Sequence, residues 1–580
     1  MIPVRSRSAR SRLGRRDFLR AAPAGLVGGM LPAAAAATQR AVPQASTDAL
    51  ACAQALADLE FTDAEHELML AAVARNGRRY AELRQLHIPA DTEPAFAFHP
   101  YLPGGPPTGS ATPHAALSVA RASRVTVSSR LEDLALQSVT VLSQLLERRE
   151  VTSTDLTRMY IARLKRFGER LNCVVTLTEG LALEQAGEAD REIRAGRYRG
   201  PLHGIPWGAK DLFATRGVRT TWGARPYEQQ VIDQDATVVE RLRTAGAVLV
   251  AKLSMGALAL GGVWFGGSTR NPWDLSRSSS GSSAGPAAAT AAGLVGFSLG
   301  TETLGSIISP SAACGVTGLR PTYGRVSRHG AMALSWTMDK IGPMCRSVED
   351  CVLVFNAMYG PDGRDLTVVD APFGWAPDFQ SVGLRVGYVA SEFAAPPDGA
   401  SPDQRRVWER ETSLLRDALV ALRGTGIIVE PVDLPVFPAD ALRIILNAEA
   451  ATAFDDLTRS RGVDRLTRQG AGAWPNSFRS SRFIPAVEYI RAQRARTLLA
   501  REMDGLMTRY DAFVSSSRST SLMITNLTGH PALALKAGFR EGLPVALMIT
   551  GRLYDEATVL QIALAYERAT TWHTMHPPLA

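Results

Sequence analysis

Residues 277–310 read RSSSGSSAGPAAATAAGLVGFSLGTETLGSIISP, and no other stretch restricts the fold as much. A polar glycine loop leads into a helix of small residues expected over 286–294. A strand expected over 295–299 follows, then a second glycine loop. Pro286 suits a first helical turn, where its missing N–H has no intrahelical partner to lose. The alanine run allows the helix to approach a neighbour very closely. Two hydroxyl-bearing loops are thereby placed around one tightly packed helix–strand unit.

Several chemistries fit such a segment. A phosphate cradle needs G-x-x-x-x-G-K-[S/T], and no Lys follows either loop. Gly281-Ser282-Ser283-Ala284-Gly285 fits G-x-S-x-G, but a nucleophile elbow must follow a buried strand, whereas 271–280 is polar. No clear Asp-then-His order comes after it either. A hydrolase site of two serines and a lysine is the third reading, and a flexible Ser/Gly loop the fourth.

From residue 131 onward the chain alternates helix and strand. Helices are expected at 139–148, 153–167, 181–195 and 236–245, and strands at 174–178, 204–209 and 248–251. Gly168 is read as ending the second helix. A helical stretch at 439–456 and 486–507 precedes a strand at 512–515, and the chain ends with a strand at 545–549 and a helix at 557–569. Such alternation predicts an α/β sheet. Residues 48–90 read as two amphipathic helices, and 91–115, rich in Pro and Gly, as an extended arm.

The formal charge of +8 is concentrated at the start: residues 1–37 hold seven Arg and one Asp, a net +6. The remaining +2 or so gives no argument for nucleic-acid binding by the body. Arg15-Arg16-Asp17-Phe18-Leu19 precedes an Ala/Gly-rich apolar run that ends in Ala35-Ala36-Ala37. That order predicts a cleaved twin-arginine export signal over 1–37 and a periplasmic or secreted protein. The apolar run is too short to span a bilayer, so no stable membrane insertion is expected. Five cysteines without a C-x-x-C pair read as buried apolar filler, and the nine histidines form no zinc pattern, so no metal is expected. Only five of the 64 basic residues are Lys: 165, 210, 252, 340 and 536. A neutral amine for proton transfer must come from that short list or the N-terminus.

Four stretches, in order, resemble the amidase signature family. Gly204-Ile205-Pro206-Trp207-Gly208-Ala209-Lys210-Asp211 is similar to the family's lysine-bearing strand. Gly281–Gly285 is similar to its G-S-S-G-G core. Glu302-Thr303-Leu304-Gly305-Ser306-Ile307 resembles D-T-G-G-S-I, and Cys314–Thr322 resembles C-G-x-x-G-[L/F]-[K/R]-P-T. The resemblance covers roughly 131–578. It implies a mixed, twisted β-sheet sandwiched between layers of α-helices, with 38–130 as a helical extension and linker and 131–580 as the amidase domain. It also implies Ser306 as nucleophile, Ser282 as the cis-peptide serine that relays the proton, and Lys210 as base. The backbone N–H groups of Thr303, Leu304 and Gly305 would form the oxyanion hole.

Lys210 lies among Ile205, Pro206 and Trp207, where burial should depress its pKa. Lys252 is a rival base. Leu304 stands where the family often has Gly, Glu302 replaces Asp, Ile308 stands where Arg is common, and Ala284 and Pro286 replace Gly and Ser. The expected activity is hydrolysis of a small-molecule amide without cofactor or nucleic acid. The helices at 438–507 are expected to wall the acyl pocket. The alternatives are an inactive binding or assembly protein and a glutamine-dependent amidotransferase subunit. Assembly state is left open, a homodimer being one option.

Overall fold

The computed structural model describes residues 45–57, 59–88, 96, 130–376, 378–394 and 401–579. The expected export signal, and the arm at 91–115 apart from Phe96, lie outside the described residues.

One mixed sheet of 11 strands organises the body. In chain order they are β1 (Val174–Leu177), β2 (Pro206–Lys210), β3 (Val248–Leu253), β4 (Phe297–Glu302), β5 (Thr317–Arg320), β6 (Lys340–Cys345), β7 (Arg385–Val389), β8 (Ile428–Val432), β9 (Ala512–Ser516), β10 (Ala532–Arg540) and β11 (Leu543–Gly551). Their order across the sheet is β1-β3-β2-β4-β6-β5-β10-β11-β9-β7-β8. β2 runs parallel to both β3 and β4. β6 runs antiparallel to β4 and β5. Every residue of β2 and β3 is buried. That is the pattern of strands covered on both faces, where apolar residues run on without alternation. Along β3, Leu249 joins one apolar cluster while Val248 and Val250 join another.

The helices around the sheet include α1 (Thr47–Leu56), α2 (Asp63–Gln85), α3 (Ala284–Ala291), α4 (Ile308–Cys314), α5 (Arg443–Ala453), α6 (Trp474–Ser481) and α7 (Ala486–Met507). α3 is the small-residue helix, and Ala287, Ala288 and Ala289 are wholly buried. α2 starts with a capping box in which Thr62 and Glu65 satisfy each other's backbone N–H. The described residues form one compact unit, so α1 and α2 belong to the same body as the sheet.

Several boundaries differ from expectation. The helix expected to stop before Gly168 runs over Ser153–Leu171, and Asn172 caps it in the left-handed region at φ 50°. Gly168 is there for packing: a Cβ would lie 2.9 Å from Val174 Cγ2. β6 was not expected, because K-I-G-P-M-C carries Gly and Pro in a central strand. It is tolerated because pairing with β5 is confined to Met344 and Cys345, leaving Pro343 without a partner on that side. Cys52 is exposed, against the expectation of buried filler, while the other four cysteines are buried and all five are free. No helix among the described residues is long and apolar enough to cross a membrane.

Candidate active site

Lys210 ends β2, between β3 and β4, where a strand buried on both faces gives its side chain no route to water. Its Nζ donates to Ser282 Oγ at 2.8 Å, to Thr301 Oγ1 at 2.8 Å and to the Thr301 carbonyl at 3.3 Å. Burial pulls its pKa down from 10.5 to about 7, against the opposing charges of Asp339 and Glu302. Near neutral pH the amine can therefore shed its proton and accept another, which an ordinary lysine cannot do.

Ser282 follows a cis peptide bond from Gly281. Gly281 is required by crowding, since a Cβ there would meet the Gly261 carbonyl oxygen at 2.0 Å. Several bonds fix the loop. Gly256 N donates to the Ser282 carbonyl at 3.2 Å. Ser283 Oγ donates to the Thr301 carbonyl at 3.2 Å and accepts from Thr301 N at 3.2 Å. Ser283 N donates to the Ser306 carbonyl at 3.2 Å, which ties the first glycine loop to the second.

The second loop is organised by a buried carboxylate. Glu302 Oε2 accepts from the N–H groups of Ile307 and Ile308 at 2.7 and 2.8 Å. Its Oε1 accepts from Arg320 Nη1 at 2.8 Å and Asn526 Nδ2 at 2.7 Å. Although burial works against it, Arg320 and these donors hold the Glu302 pKa below its ordinary value. Gly305 takes φ +101°, a conformation that favours glycine. Leu304 is not among the positive-φ residues, so its Cβ is accommodated without strain. Among the described residues, the backbone N–H groups of Thr303, Leu304 and Gly305 have no protein acceptor.

Over residues 155–525 the chain matches the model of the Amidase family. This chain belongs to the amidase signature family. It is 36% identical over 476 residues to a glutamyl-tRNA(Gln) amidotransferase subunit of Roseiflexus sp. (strain RS-1), covering 75% of this chain and 96% of the relative. Among solved structures it is similar to the native peptide amidase of Stenotrophomonas maltophilia, with TM-score 0.66 and 31% identity over 77% of this chain and 99% of that one. An amidase family protein from Bacillus anthracis str. Ames gives TM-score 0.67 and 26% identity over 77% and 94% of the two chains.

In this amidase signature enzyme Ser306 is half-buried and lines a cavity of about 380 Å³ together with Gly281, Thr303 and Leu304. Its hydroxyl has no hydrogen-bond partner among the described residues. The two serine hydroxyls thus share no bond, and the loops meet through the Ser283–Ser306 backbone contact. Of the helices expected at 438–507, α5 and α6 line the cavity and α7 does not. Ile308 is buried against Ala532, Ala534 and Met548 and takes no part in the lining.

The rival base lies elsewhere. Lys252 Nζ donates to Thr220 Oγ1 at 2.6 Å and the Phe213 carbonyl at 2.9 Å, and lies 3.3 Å from Asp211 Oδ1. It touches neither serine.

Sequence reasoning missed Thr301, which holds both Lys210 and Ser283. It also missed Asp339, which accepts from Thr303 Oγ1 at 2.5 Å and from the N–H groups of Leu334 and Ser335 at 2.8 and 2.9 Å. Thr301 could have been found one residue before Glu302 in the matching motif. Asp339 comes from a distant loop and carries no local signal. The contribution of α2 to the cavity, through Ala72, Arg75, Asn76 and Arg79, was also unforeseen.

Proposed function

We propose that this enzyme is a free-standing amidase that cleaves a carboxylic amide through an acyl-enzyme on Ser306. The observation that carries this reading is the fully buried Lys210–Ser282 pair, with a lysine pKa of about 7, behind the cavity that Ser306 lines. An amide carbonyl is a poor electrophile, so a serine hydroxyl must lose its proton as it attacks. In the proposed sequence Ser306 Oγ attacks, Ser282 takes its proton, and neutral Lys210 takes the proton of Ser282. The unpaired N–H groups of Thr303, Leu304 and Gly305 are available to the developing oxyanion. Each such donor is typically worth about 10²–10³ in rate. The relay then returns its proton to the leaving amine, and water releases the acyl group by the reverse route.

A fluorophosphonate reports the nucleophile directly. Labelling that disappears in Ser306→Ala, together with turnover on a panel of amides of graded acyl size, supports the reading. A protein that neither labels nor turns over any amide is the inactive binding protein instead.

A second reading, the glutamine-hydrolysing subunit of an amidotransferase, draws on the names of relatives at 36% identity. Glutaminase activity that appears only with a partner protein would favour it. Export is part of the proposal and rests on Arg15-Arg16-Asp17-Phe18-Leu19 and the apolar run after it. Cell fractionation of the wild type beside an Arg15→Lys/Arg16→Lys chain tests it: the wild type is expected outside the cytoplasm and the double variant within it.

A further inference from the structure

The cavity that holds Ser306 is walled by polar stripes from three helices. On α2 the lining residues are Ala72, Arg75, Asn76 and Arg79, a spacing of i, i+3, i+4 and i+7 that defines one helical face. On α5 they are Arg443, Leu446 and Asn447, and on α6 they include Asn476 and Ser480. α2 lies wholly outside residues 155–525, the segment that matches the family model.

The charge on that wall is unbalanced. Three arginines line the cavity, and no Asp or Glu does. One neighbouring carboxylate, Asp440, serves two of them. Its Oδ2 accepts from Arg79 Nη2 at 3.0 Å and Nε at 3.3 Å, and its Oδ1 forms an ion pair with Arg443, 2.9 Å from Nε. Arg75 has no acidic partner among the described residues. The three guanidiniums are close enough to act on one another. The charges of Arg79 and Arg75, after burial itself, pull the Arg443 pKa down, and only Asp440 opposes them. The contrast with the adjoining cavity of about 370 Å³ is informative. There Arg328 is bonded to Asp365 at 2.8 Å, and Arg364 to Glu240 and Asp362. Asp339 and Asp365 line that cavity beside Arg328, Arg364 and Lys340, whereas the serine cavity has no carboxylate in its lining.

A second observation also points to a ligand. Asn476 is 1% exposed and lines the cavity, its Nδ2 donating to the Ala471 carbonyl at 2.9 Å while its Oδ1 has no partner. A buried acceptor left unpaired costs free energy unless something in the cavity satisfies it. A substrate amide N–H is a group that would.

We propose that α2 and α5 form a carboxylate-recognition subsite in the cavity of Ser306, so that the amide hydrolysed there carries a carboxylate on its acyl or amine portion. Guanidinium forks bind carboxylates through paired, charge-assisted bonds, and two arginines sharing one aspartate keep donors free for a third group. The choice of substrate rests on the acyl-enzyme reading above, but the binding of a carboxylate does not.

Two measurements separate them. The first compares hydrolysis of succinamate, glutaramate and adipamate with that of their methyl esters. Wild-type enzyme is expected to favour at least one acid over its ester. In Arg75→Gln and in Arg443→Gln that acid-over-ester ratio of kcat/KM is expected to fall at least about tenfold, mainly through KM. A wild type that favours the esters, or a ratio unmoved by both substitutions, overturns the proposal. The second titrates glutarate calorimetrically into the Ser306→Ala protein, with and without Arg75→Gln, and needs no turnover. Binding weakened at least about tenfold by Arg75→Gln supports the subsite, and equal or absent binding overturns it. Absence of turnover on all six amides beside arginine-dependent glutarate binding would sink the amidase reading and leave the subsite standing.

Discussion

Lys210 Nζ and Ser282 Oγ lie 2.8 Å apart, and neither side chain is reached by solvent. A lysine in water would hold its proton at neutral pH and could not act as a base. Enclosed by β2, β3 and β4, this one has a pKa of about 7, and the carboxylates that act on it, Asp339 and Glu302, are already engaged by other donors. The same burial that makes the sheet stable thus suits Lys210 to the role of base proposed for it.

The pH profile follows from that pKa. In the proposed mechanism Lys210 acts when deprotonated, so kcat/KM is expected to rise with pH and level off above about 7, rather than rise only above pH 10 as an ordinary lysine would require. The linkage to stability has the same sign. Between about pH 7 and 10.5 the unfolded chain binds a proton at this lysine that the folded chain has lost, so stability rises with pH across that window. The penalty for burying the lysine is fully present below pH 7. A Lys210→Met protein should lack this component of the pH dependence in a denaturation series, and its residual activity should show no step near pH 7.

Glu302→Gln removes the counter-charge of buried Arg320 and weakens the anchor of the 303–306 turn. A loss of about 3–5 kcal/mol in unfolding free energy is expected from the uncompensated guanidinium. Among molecules that remain folded, kcat should fall with little change in KM, because the carboxylate acts by positioning the turn. Urea denaturation and steady-state kinetics on the same preparation check both parts.

Lys252→Met tests the rival base. It strips Asp211 of its buried cation, and a loss of about 3–5 kcal/mol is again expected. The folded fraction should keep its rate, since Lys252 contacts neither Ser282 nor Ser306. A rate loss as deep as that of Lys210→Met, with the melting temperature intact, would reverse the assignment.

Gly305→Ala places a Cβ at φ +101° and 3.0 Å from Ser309 Oγ. The backbone can relieve that only by rotating, which re-aims the N–H groups of the turn. A kcat lowered at least about tenfold with KM little changed is expected in steady-state assays.

Much of the site was legible because its chemistry is local. The glycine loops at 281–285 and 303–306 and the strand that carries Lys210 are each specified within a few residues; Lys210 meets the first loop at Ser282, and the two loops meet through Ser283 N and the Ser306 carbonyl. The helix expected at 486–507 is found over Ala486–Met507. Elements that depend on distant partners were not legible. β6 is a strand despite Pro343, because its neighbours tolerate the missing donor. Gly168 looked like a helix end because its true constraint, Val174, lies beyond the helix. The face of α2 was readable as amphipathic, but nothing within 63–85 says that its arginines meet Arg443 of α5 across a cavity. Asp339 illustrates the same limit: its three donors come from 303, 334 and 335, and only the fold brings them together.

The most direct test of the account is the mass and position of a fluorophosphonate adduct on the intact enzyme. At pH 8 the account predicts a single adduct, mapped by peptide sequencing to Ser306, and formed at least about 100-fold more slowly in Lys210→Ala. An adduct on any other residue, or a rate that ignores the loss of Lys210, would contradict it.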